Sequence, residues 1–289
     1  LYSLFQIDQL EGEILITLTE LERKINCLKD ETDYLALDIR IAYSTCMNRY
    51  MMILFMQDRI LDATGIFERY IKYNNNIPIS LYSYKYNSMI GEWLLDYARG
   101  ISYVCPLCAE IYYKRSIKLL ENGKNEKRYI LAKMDFAFLQ CVYFEKFDEI
   151  ETIHNLTIDL QRENYINEYF RGFLRENLCK LVQYFKNPGI ANSKGIKAIA
   201  QKMKEEALSI ELDSMLYISG RLAYQTGMYF SALDTIIQDF VEAKKYLERN
   251  LNMVSKAGGS FTNIALHNLR SKISSGEIWK GVTLPTHLF

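Results

Sequence analysis

Glycine and proline are scarce in this chain, with 14 Gly and 4 Pro among 289 residues. Sheet-rich folds use these residues in their many turns, so the scarcity favours long helices. No segment shows the sustained alternation of apolar and polar residues that marks a half-buried strand. Because 49% of the residues are hydrophobic, the chain can bury a large core. The composition therefore predicts a large, helical protein.

An excess of positive charge is also absent, because Lys+Arg and Asp+Glu are both 35. A domain that grips DNA by itself usually carries a basic excess to neutralise phosphates. The longest apolar run, Met51 to Met56, is far shorter than the roughly 20 residues that cross a bilayer. The start, LYSLFQIDQLEGEI, lacks the layout of a signal peptide. We expect a cytoplasmic protein without membrane contact. We also expect that an N-terminal DNA-binding domain of the parent chain is not present here.

Sequence motifs for catalysis and cofactor binding are missing as well. The chain has no phosphate-binding loop, no nucleophile elbow and no His-Glu-x-x-His pair. His154 lies on a predicted helix and is better explained as a surface or core residue than as a catalytic one. Asp148 and Glu151 lie at a predicted helix start, where the helix dipole favours negative charge. We predict that the protein is not an enzyme and needs no cofactor.

The pair Cys105 and Cys108, in the segment CPLC, is the strongest candidate for chemistry. A structural zinc site needs four ligands, and the other cysteines are single. A redox Cys-x-x-Cys normally lies at a strand-to-helix junction, which this helical pattern does not offer. We predict structural packing and no metal, with Pro106 in a first helical turn, where its missing N–H costs nothing. The predicted buried side of that helix carries Cys108, Ile111, Tyr112 and Ile117. A metal protein or an enzyme built on the pair remains an alternative class.

Apolar residues recur at helical spacing along most of the chain. From Asp8 to Leu28 they recur every three or four residues, which indicates an amphipathic helix. A second helix is predicted from Tyr34 to Met56. Two helix types, A and B, then alternate with a period of about 40–50 residues, as in two-helix repeats. The A helices are predicted to begin near Leu35, Ile79, Arg128, Tyr165, Asp213 and Ser260. The predicted B helices are Asp58 to Tyr73, Pro106 to Asn122, Asp148 to Glu163, Lys194 to Ile210 and Phe230 to Val254.

This pattern is typical of tetratricopeptide-like repeats. The segments Ala109 to Glu121 and Gly227 to Glu248 carry small and aromatic residues where the packing helix of such a repeat has them. A helix pair cannot bury its apolar faces alone, so pairs stack and leave a concave surface lined by A helices. We predict an all-α, right-handed helical-repeat solenoid in which residues 1–289 form a single domain.

Polar residues on the A helices are the candidates for ligand binding. If they line the concave surface, they can hydrogen-bond the backbone and the termini of a peptide. The guanidinium of Arg is well suited to a carboxylate, because it can donate two hydrogen bonds to it at once. The alternative is an ordinary solvated surface. The candidate peptide-binding residues are Asn48, Asn87, Glu92, Lys133, Gln140, Arg171, Arg175, Arg221 and Gln225.

Four segments, taken in order, resemble the repeat region of one known family. They are LDIRIAYSTC (Leu37 to Cys46), SLYSYKYNSMIGEWLLDYARG (Ser80 to Gly100), YYKRSIKLLENGKNEKRYILAKMDFAFL (Tyr112 to Leu139) and MLYISGRLAYQTGMYF (Met215 to Phe230). The family is that of the arbitrium receptors. These are peptide-sensing regulators that control the lysis–lysogeny decision in phages of Bacillus-type hosts.

The resemblance implies a repeat domain that binds a short secreted signalling peptide, with C-terminal helices forming a homodimer. In that family a helix-turn-helix domain binds DNA, so DNA binding would require a domain that is not seen in this chain. The family's pocket Arg and Asn around the helix corresponding to Leu81 to Gly91 are replaced here by Leu81 and Glu92. A further pocket Asn is aligned with Met47, and the adjacent Asn48 is its plausible counterpart.

Taken together, these observations predict a peptide-sensing repeat domain of a phage or bacterial transcriptional regulator. Peptide binding would change its curvature or its dimer geometry. The runner-up is a repeat scaffold of the same fold that binds a partner protein and no free peptide.

Overall fold

The computed structural model describes residues 7–27, 34–57, 59–74, 84–102, 104–121 and 125–186, together with 198, 200–206 and 208. These residues form helices and short connections, and no strand occurs among them. A helical stretch also covers 200–206, within the predicted B helix Lys194 to Ile210. The eight longer helices are α1 (Ile7–Asn26), α2 (Tyr34–Met56), α3 (Ile60–Asn74), α4 (Tyr84–Ile101), α5 (Pro106–Glu121), α6 (Glu126–Phe144), α7 (Glu149–Arg162) and α8 (Ile166–Lys186).

Helix boundaries follow local signals in the sequence. The range of α2 agrees with its prediction, and α5 begins at Pro106, as predicted. Asn125 precedes α6, and its side chain accepts a hydrogen bond from the backbone N–H of Arg128 at 3.2 Å, which caps the helix. The remaining predicted elements lie outside the described residues: the helix starts at Ile79, Asp213 and Ser260 and the helix Phe230 to Val254.

Consecutive helices pack as antiparallel pairs. In the pair of α4 and α5, Ser116 Oγ donates to the Gly91 carbonyl oxygen at 2.7 Å. Further along, the rings of Tyr97 and Tyr112 meet edge to face with their centroids 5.0 Å apart. Residue numbers therefore rise on one helix as they fall on the other. The pair of α7 and α8 has the same register, because Thr157 lies beside Gly172 while His154 faces Glu176.

The buried side of α5 differs from the predicted one. The buried residues of this helix are Ala109, Tyr113, Ser116 and Leu120. The prediction is wrong for Cys108, which is exposed, and for Ile111, which is 58% exposed. The cause is close packing of small residues: Ser116 hydrogen-bonds to Gly91, and a Cβ at Gly91 would lie 2.7 Å from Leu120 Cγ. This contact turns the Ser116 side of α5 towards α4, so Cys108 and Ile111 meet solvent.

The even-numbered helices, α2, α4, α6 and α8, correspond to the first four A helices and contact one another in chain order. They run in the same direction. Arg99 at the end of α4 pairs with Asp135 of α6, and Met134 of α6 lies beside the Gly172 position of α8. The described part is therefore all-α, as predicted, and built from successive helix pairs. The right-handed solenoid stays a prediction.

Stacked aromatic rings join α3 to α4 at the centre of the core. Tyr70 stacks on Trp93 with ring centroids 3.7 Å apart, and Phe67 stacks on Tyr97 at the same distance. Tyr70 and Trp93 are among the largest fully buried side chains in the described part. None of the described helices combines the length and the apolar character needed to cross a membrane.

Polar contacts hold α1 to the corner between α2 and α3. Glu11 accepts hydrogen bonds from Arg59 Nη1 at 2.8 Å and from Gln57 Nε2 at 3.0 Å. Burial raises the pKa of Glu11, but the hydrogen bonds from Gln57 and Arg59 lower it by more than burial raises it. The net pKa therefore lies below 4.5. Further along α1, Glu22 accepts from the hydroxyl of Tyr43 at 2.6 Å. These contacts position α1 alongside the pair of α2 and α3.

Candidate functional site

A chain of buried and half-buried polar side chains crosses the A helices. Asn48 of α2 donates from Nδ2 to Asp96 Oδ2 of α4 at 3.1 Å. The other oxygen of Asp96 accepts from Arg99 Nη1 at 3.1 Å. Arg99 Nε donates to Asp135 of α6, which also pairs with Arg175 of α8. We call these five residues the polar chain. It links four helices that are far apart in the sequence.

The charges of the polar chain balance, because two aspartates face two arginines. The side chain of Asp135 is 1% exposed, and those of Arg99 and Arg175 are 9% and 8% exposed. A buried ion pair is not a large net source of stability, but removing one partner leaves an uncompensated charge in a medium of low dielectric constant. The guanidinium of Arg175 also lies 5.5 Å from the ring centroid of Phe138. The polar chain therefore fixes how α4, α6 and α8 are placed against one another.

Some polar atoms at these helices have no partner. Asn48 Oδ1 and Arg99 Nη2 are buried and make no hydrogen bond within the described part of the chain. The same holds for Gln140 Nε2 and Asn177 Nδ2. Buried polar atoms are usually satisfied, and each exception calls for an explanation.

The structure brings two of the predicted site residues into the polar chain, Asn48 and Arg175. Arg171 is half-buried one turn before Arg175. Gln140 is buried, and its Oε1 accepts from Lys146 Nζ at 2.6 Å. The alternative of a solvated surface is therefore wrong for Arg175 and Gln140.

The remaining predicted site residues lie elsewhere. Glu92 accepts from Asn125 Nδ2 at 3.0 Å and pairs with Arg128, so it secures the start of α6. Lys133 lies with its Nζ 5.2 Å from the ring centroid of Tyr129. Asn87 is half-buried in the first turn of α4. Arg221 and Gln225 fall outside the described residues.

Sequence reasoning missed Asp96, Arg99 and Asp135, which form the middle of the polar chain. The signal was present in the segments WLLDYARGI and AKMDFAFL, where a charged residue is surrounded by apolar ones on a helix. Charged residues are almost never fully buried unless they are paired. Such an isolated charge within an apolar helix therefore predicts a buried partner, although the identity of the partner depends on tertiary packing.

An open groove lies between α3 and α5 and above α4. It encloses about 480 Å³, within the range of 300–1,000 Å³ that is typical of small-ligand sites. Its aromatic side is formed by Phe67, Tyr97 and Tyr112, whose rings contact one another at centroid distances from 3.7 to 5.3 Å. Burial raises the pKa of Tyr97, so its hydroxyl stays protonated and donates to Thr64 Oγ1 at 3.3 Å. We call this the aromatic groove.

The aromatic groove carries more positive than negative charge. Lys72 of α3 and Arg115 of α5 line it, together with Glu68. Neither cation pairs with a carboxylate in the described part of the chain, whereas the neighbouring Lys114 pairs with Glu110 at 2.8 Å. The groove thus offers an apolar floor beside two cations, which suits a ligand that has both an apolar group and a carboxylate.

Metal-binding geometry does not occur in the described residues, where no three His, Cys, Asp or Glu side chains come together. Cys105 and Cys108 form a disulfide at the start of α5. His154 is exposed on α7 and lies with Nδ1 3.1 Å from Glu176 Oε2. Burial raises the pKa of the Cys179 thiol well above its ordinary value, because Cys179 is enclosed beside Cys141. A buried, protonated thiol is a poor nucleophile.

The fold and the site define a class: an all-α protein of stacked helix pairs that has a buried polar chain and an open aromatic groove. Comparison with protein-family models finds no match to this chain. Searches of curated proteins and of solved structures find no match either.

Proposed function

We propose that this protein is a sensor of short peptides that binds the C-terminal end of its ligand in the aromatic groove. The observation that carries the proposal is the pairing of an apolar, ring-lined groove with two cations that have no carboxylate partner among the described residues. An apolar C-terminal side chain would occupy the space beside Phe67, Tyr97 and Tyr112. The terminal carboxylate would then face Arg115 and Lys72.

The position of α4 gives a reason why binding could switch the molecule. Tyr97 contributes to the groove, and its neighbours on the same helix, Asp96 and Arg99, belong to the polar chain. A ligand that moves α4 would therefore disturb the contacts to α6 and α8. A ligand shifts such an equilibrium when it binds one arrangement better, and about 1.4 kcal/mol of preference is a tenfold shift. The unpartnered atoms Asn48 Oδ1 and Arg99 Nη2 support a second arrangement.

The resemblance to arbitrium receptors extends this proposal to a regulatory role. The switch would then control transcription in a phage or its bacterial host, in the manner of a lysis–lysogeny regulator. A homodimer formed by C-terminal helices would carry the change to an operator. The DNA contact itself would belong to a helix-turn-helix domain of the parent protein.

The test adds short peptides to the purified chain and measures binding through the change in Tm on thermal unfolding. Because the ligand binds the folded form, a specific peptide raises Tm, and a ligand at 100 times its Kd stabilises by about 2.7 kcal/mol. We expect peptides with an apolar C-terminal residue and a free carboxylate to bind, and their C-terminal amides to bind at least about tenfold more weakly. Equal binding of acid and amide would contradict the assignment of Arg115 and Lys72.

A matched pair of variants on α5 tests the location of the site. Arg115→Gln removes a groove cation, whereas Lys114→Gln removes its neighbour, which pairs with Glu110 outside the groove. We expect Arg115→Gln to weaken binding of the free acid by about tenfold and Lys114→Gln to leave it unchanged. If no peptide binds and a partner protein is recovered instead, the scaffold alternative is favoured.

A further inference from the structure

A disulfide lies at the surface of the hairpin corner between α4 and α5. Cys105 precedes the first residue of α5, and Cys108 lies in the first turn. Their Cα atoms are 5.3 Å apart, and the backbone N–H of Cys108 donates to Cys105 Sγ at 3.3 Å. Cys108 is exposed and Cys105 is half-buried. The bridge is therefore open to attack from solvent at Cys108.

The corner does not depend on this bridge for its shape. The backbone N–H groups of Val104 and Cys105 both donate to the Ile101 carbonyl oxygen, at 3.0 and 2.8 Å. Ala109 N–H donates to the Cys105 carbonyl oxygen at 2.9 Å. A disulfide stabilises chiefly by constraining the unfolded chain, and the effect is smallest for the shortest loops. Since this bridge closes a sequence separation of 3, a structural role alone explains little.

Exposed apolar side chains lie next to the two cysteines in the sequence. Val104, Leu107 and Ile111 are 56%, 67% and 58% exposed. They are three of the seven large hydrophobic side chains exposed in the described part. Leu107 lies between the two cysteines, and Ile111 lies one turn after them on α5. A protein that docks on these side chains would place its own groups beside Cys108.

The start of α5 also favours the chemistry of exchange. The positive end of the helix dipole favours negative charge at a helix N-terminus, so a thiolate released there is stabilised. Cys105 occupies that position, and the backbone N–H of Cys108 donates a hydrogen bond to its sulfur. Cys105 is thus the better leaving group and Cys108 the accessible target.

We propose that the Cys105–Cys108 bridge is a thiol–disulfide exchange site that is reduced by a partner protein carrying an exposed dithiol. A thiolate of the partner attacks Cys108 Sγ, which forms a mixed disulfide and releases the Cys105 thiolate. The second thiol of the partner, as its thiolate, attacks the partner sulfur of the mixed disulfide and releases the Cys108 thiolate. Both cysteines then take up protons. The bridge gains two electrons and two protons, and the partner dithiol becomes a disulfide.

The test compares a protein dithiol with a small one. The purified, oxidised chain is treated with a thioredoxin or with dithiothreitol, and the reduced cysteines are counted by alkylation and mass spectrometry. We expect the thioredoxin to reduce the bridge at least about tenfold faster at equal dithiol concentration, because it docks before it reacts. A thioredoxin lacking its resolving cysteine should be trapped on Cys108 and not on Cys105.

A double variant, Leu107→Ser with Ile111→Ser, tests the docking surface. Both positions are exposed, so the fold should be retained, as checked by the fluorescence of buried Trp93. We expect this variant to slow reduction by the thioredoxin about tenfold and to leave the dithiothreitol rate unchanged. Ile16→Ser, exposed on α1, serves as the matched control. Equal rates with both reductants, or an unaffected double variant, would overturn the proposal.

Discussion

At the scale of single residues, the buried carboxylate of Asp135 has the largest predicted effect on stability. It faces Arg99 and Arg175, and its side chain is 1% exposed. Asp135→Asn keeps the shape of the side chain but leaves the two guanidinium groups with one carboxylate, that of Asp96. Breaking a buried pair in this way costs about 3–5 kcal/mol. Urea unfolding of the variant and of the wild type measures the loss.

The matched control is Asp159→Asn on α7. Asp159 pairs with Arg162, and the side chains are 50% and 74% exposed. Exposed pairs contribute about 0–1 kcal/mol, so we expect a change within that range. If Asp135→Asn were no more destabilising than this control, the polar chain would not hold the A helices together.

The pH dependence of stability contains a contribution from Glu11. The pKa of Glu11 in the folded protein lies below its ordinary value of 4.5. Its stabilising effect is therefore present above about pH 4.5 and is lost as the pH falls through the lowered pKa. Because Arg59 is 42% exposed, we expect Glu11→Gln to cost less than about 1 kcal/mol near neutral pH. Urea unfolding across a pH series should show the two proteins converging at acid pH. Glu20→Gln, at an exposed position on the same helix, is the matched control and should leave the free energy of unfolding near neutral pH unchanged.

At the scale of helices, a pair of glycines gives opposite predictions for the same substitution. A Cβ at Gly91 of α4 would lie 2.7 Å from the buried Leu120 side chain, whereas nothing lies within 4 Å of the Gly65 position on α3. Overpacking costs about 1–3 kcal/mol, and the gain in helix propensity of about 1 kcal/mol offsets part of it for Gly91→Ala. Gly65→Ala has only the gain in helix propensity, because no neighbouring atom is overpacked.

Thermal unfolding distinguishes these two variants. We expect a lower Tm for Gly91→Ala and a Tm higher by a few degrees for Gly65→Ala, since about 1 kcal/mol shifts Tm by about 2–4 °C in a chain of this size. A stabilised Gly91→Ala would mean that Leu120 and α5 move away at little cost, and that the close packing of α4 and α5 does not determine the orientation of α5.

At the scale of the whole molecule, we expect the helix pairs to unfold together, because the polar chain links α2, α4, α6 and α8. Trp93 in α4 reports on one region, and the buried thiols of Cys141 in α6 and Cys179 in α8 report on another. In a Trp279→Phe background, Trp93 fluorescence and the reactivity of these thiols should change at the same urea concentration. Asp135→Asn should separate the two transitions, because stacked helix pairs otherwise interact with their neighbours alone. Separate transitions in the wild type would contradict the coupling.

Much of the fold could be predicted from sequence because its signals are local. The range of α2, the start of α5 at Pro106 and the all-α class follow from apolar spacing, from proline chemistry and from the scarcity of turn residues. The face of α5 could not be predicted in the same way. Both candidate stripes on α5 are amphipathic, and the contact of Ser116 with Gly91 decides which one is buried.

The sequence by itself thus determined that the described part of the chain forms paired helices and where most of them begin and end, because backbone hydrogen bonds and apolar periodicity act within a few residues. It also marked Asn48 and Arg175 as polar residues to be explained. Only the tertiary structure decided that these two belong to one buried chain with Asp96, Arg99 and Asp135. The same holds for the aromatic groove between α3 and α5. Partners separated by 36 or 48 residues meet through packing, and packing depends on the shapes of whole helices.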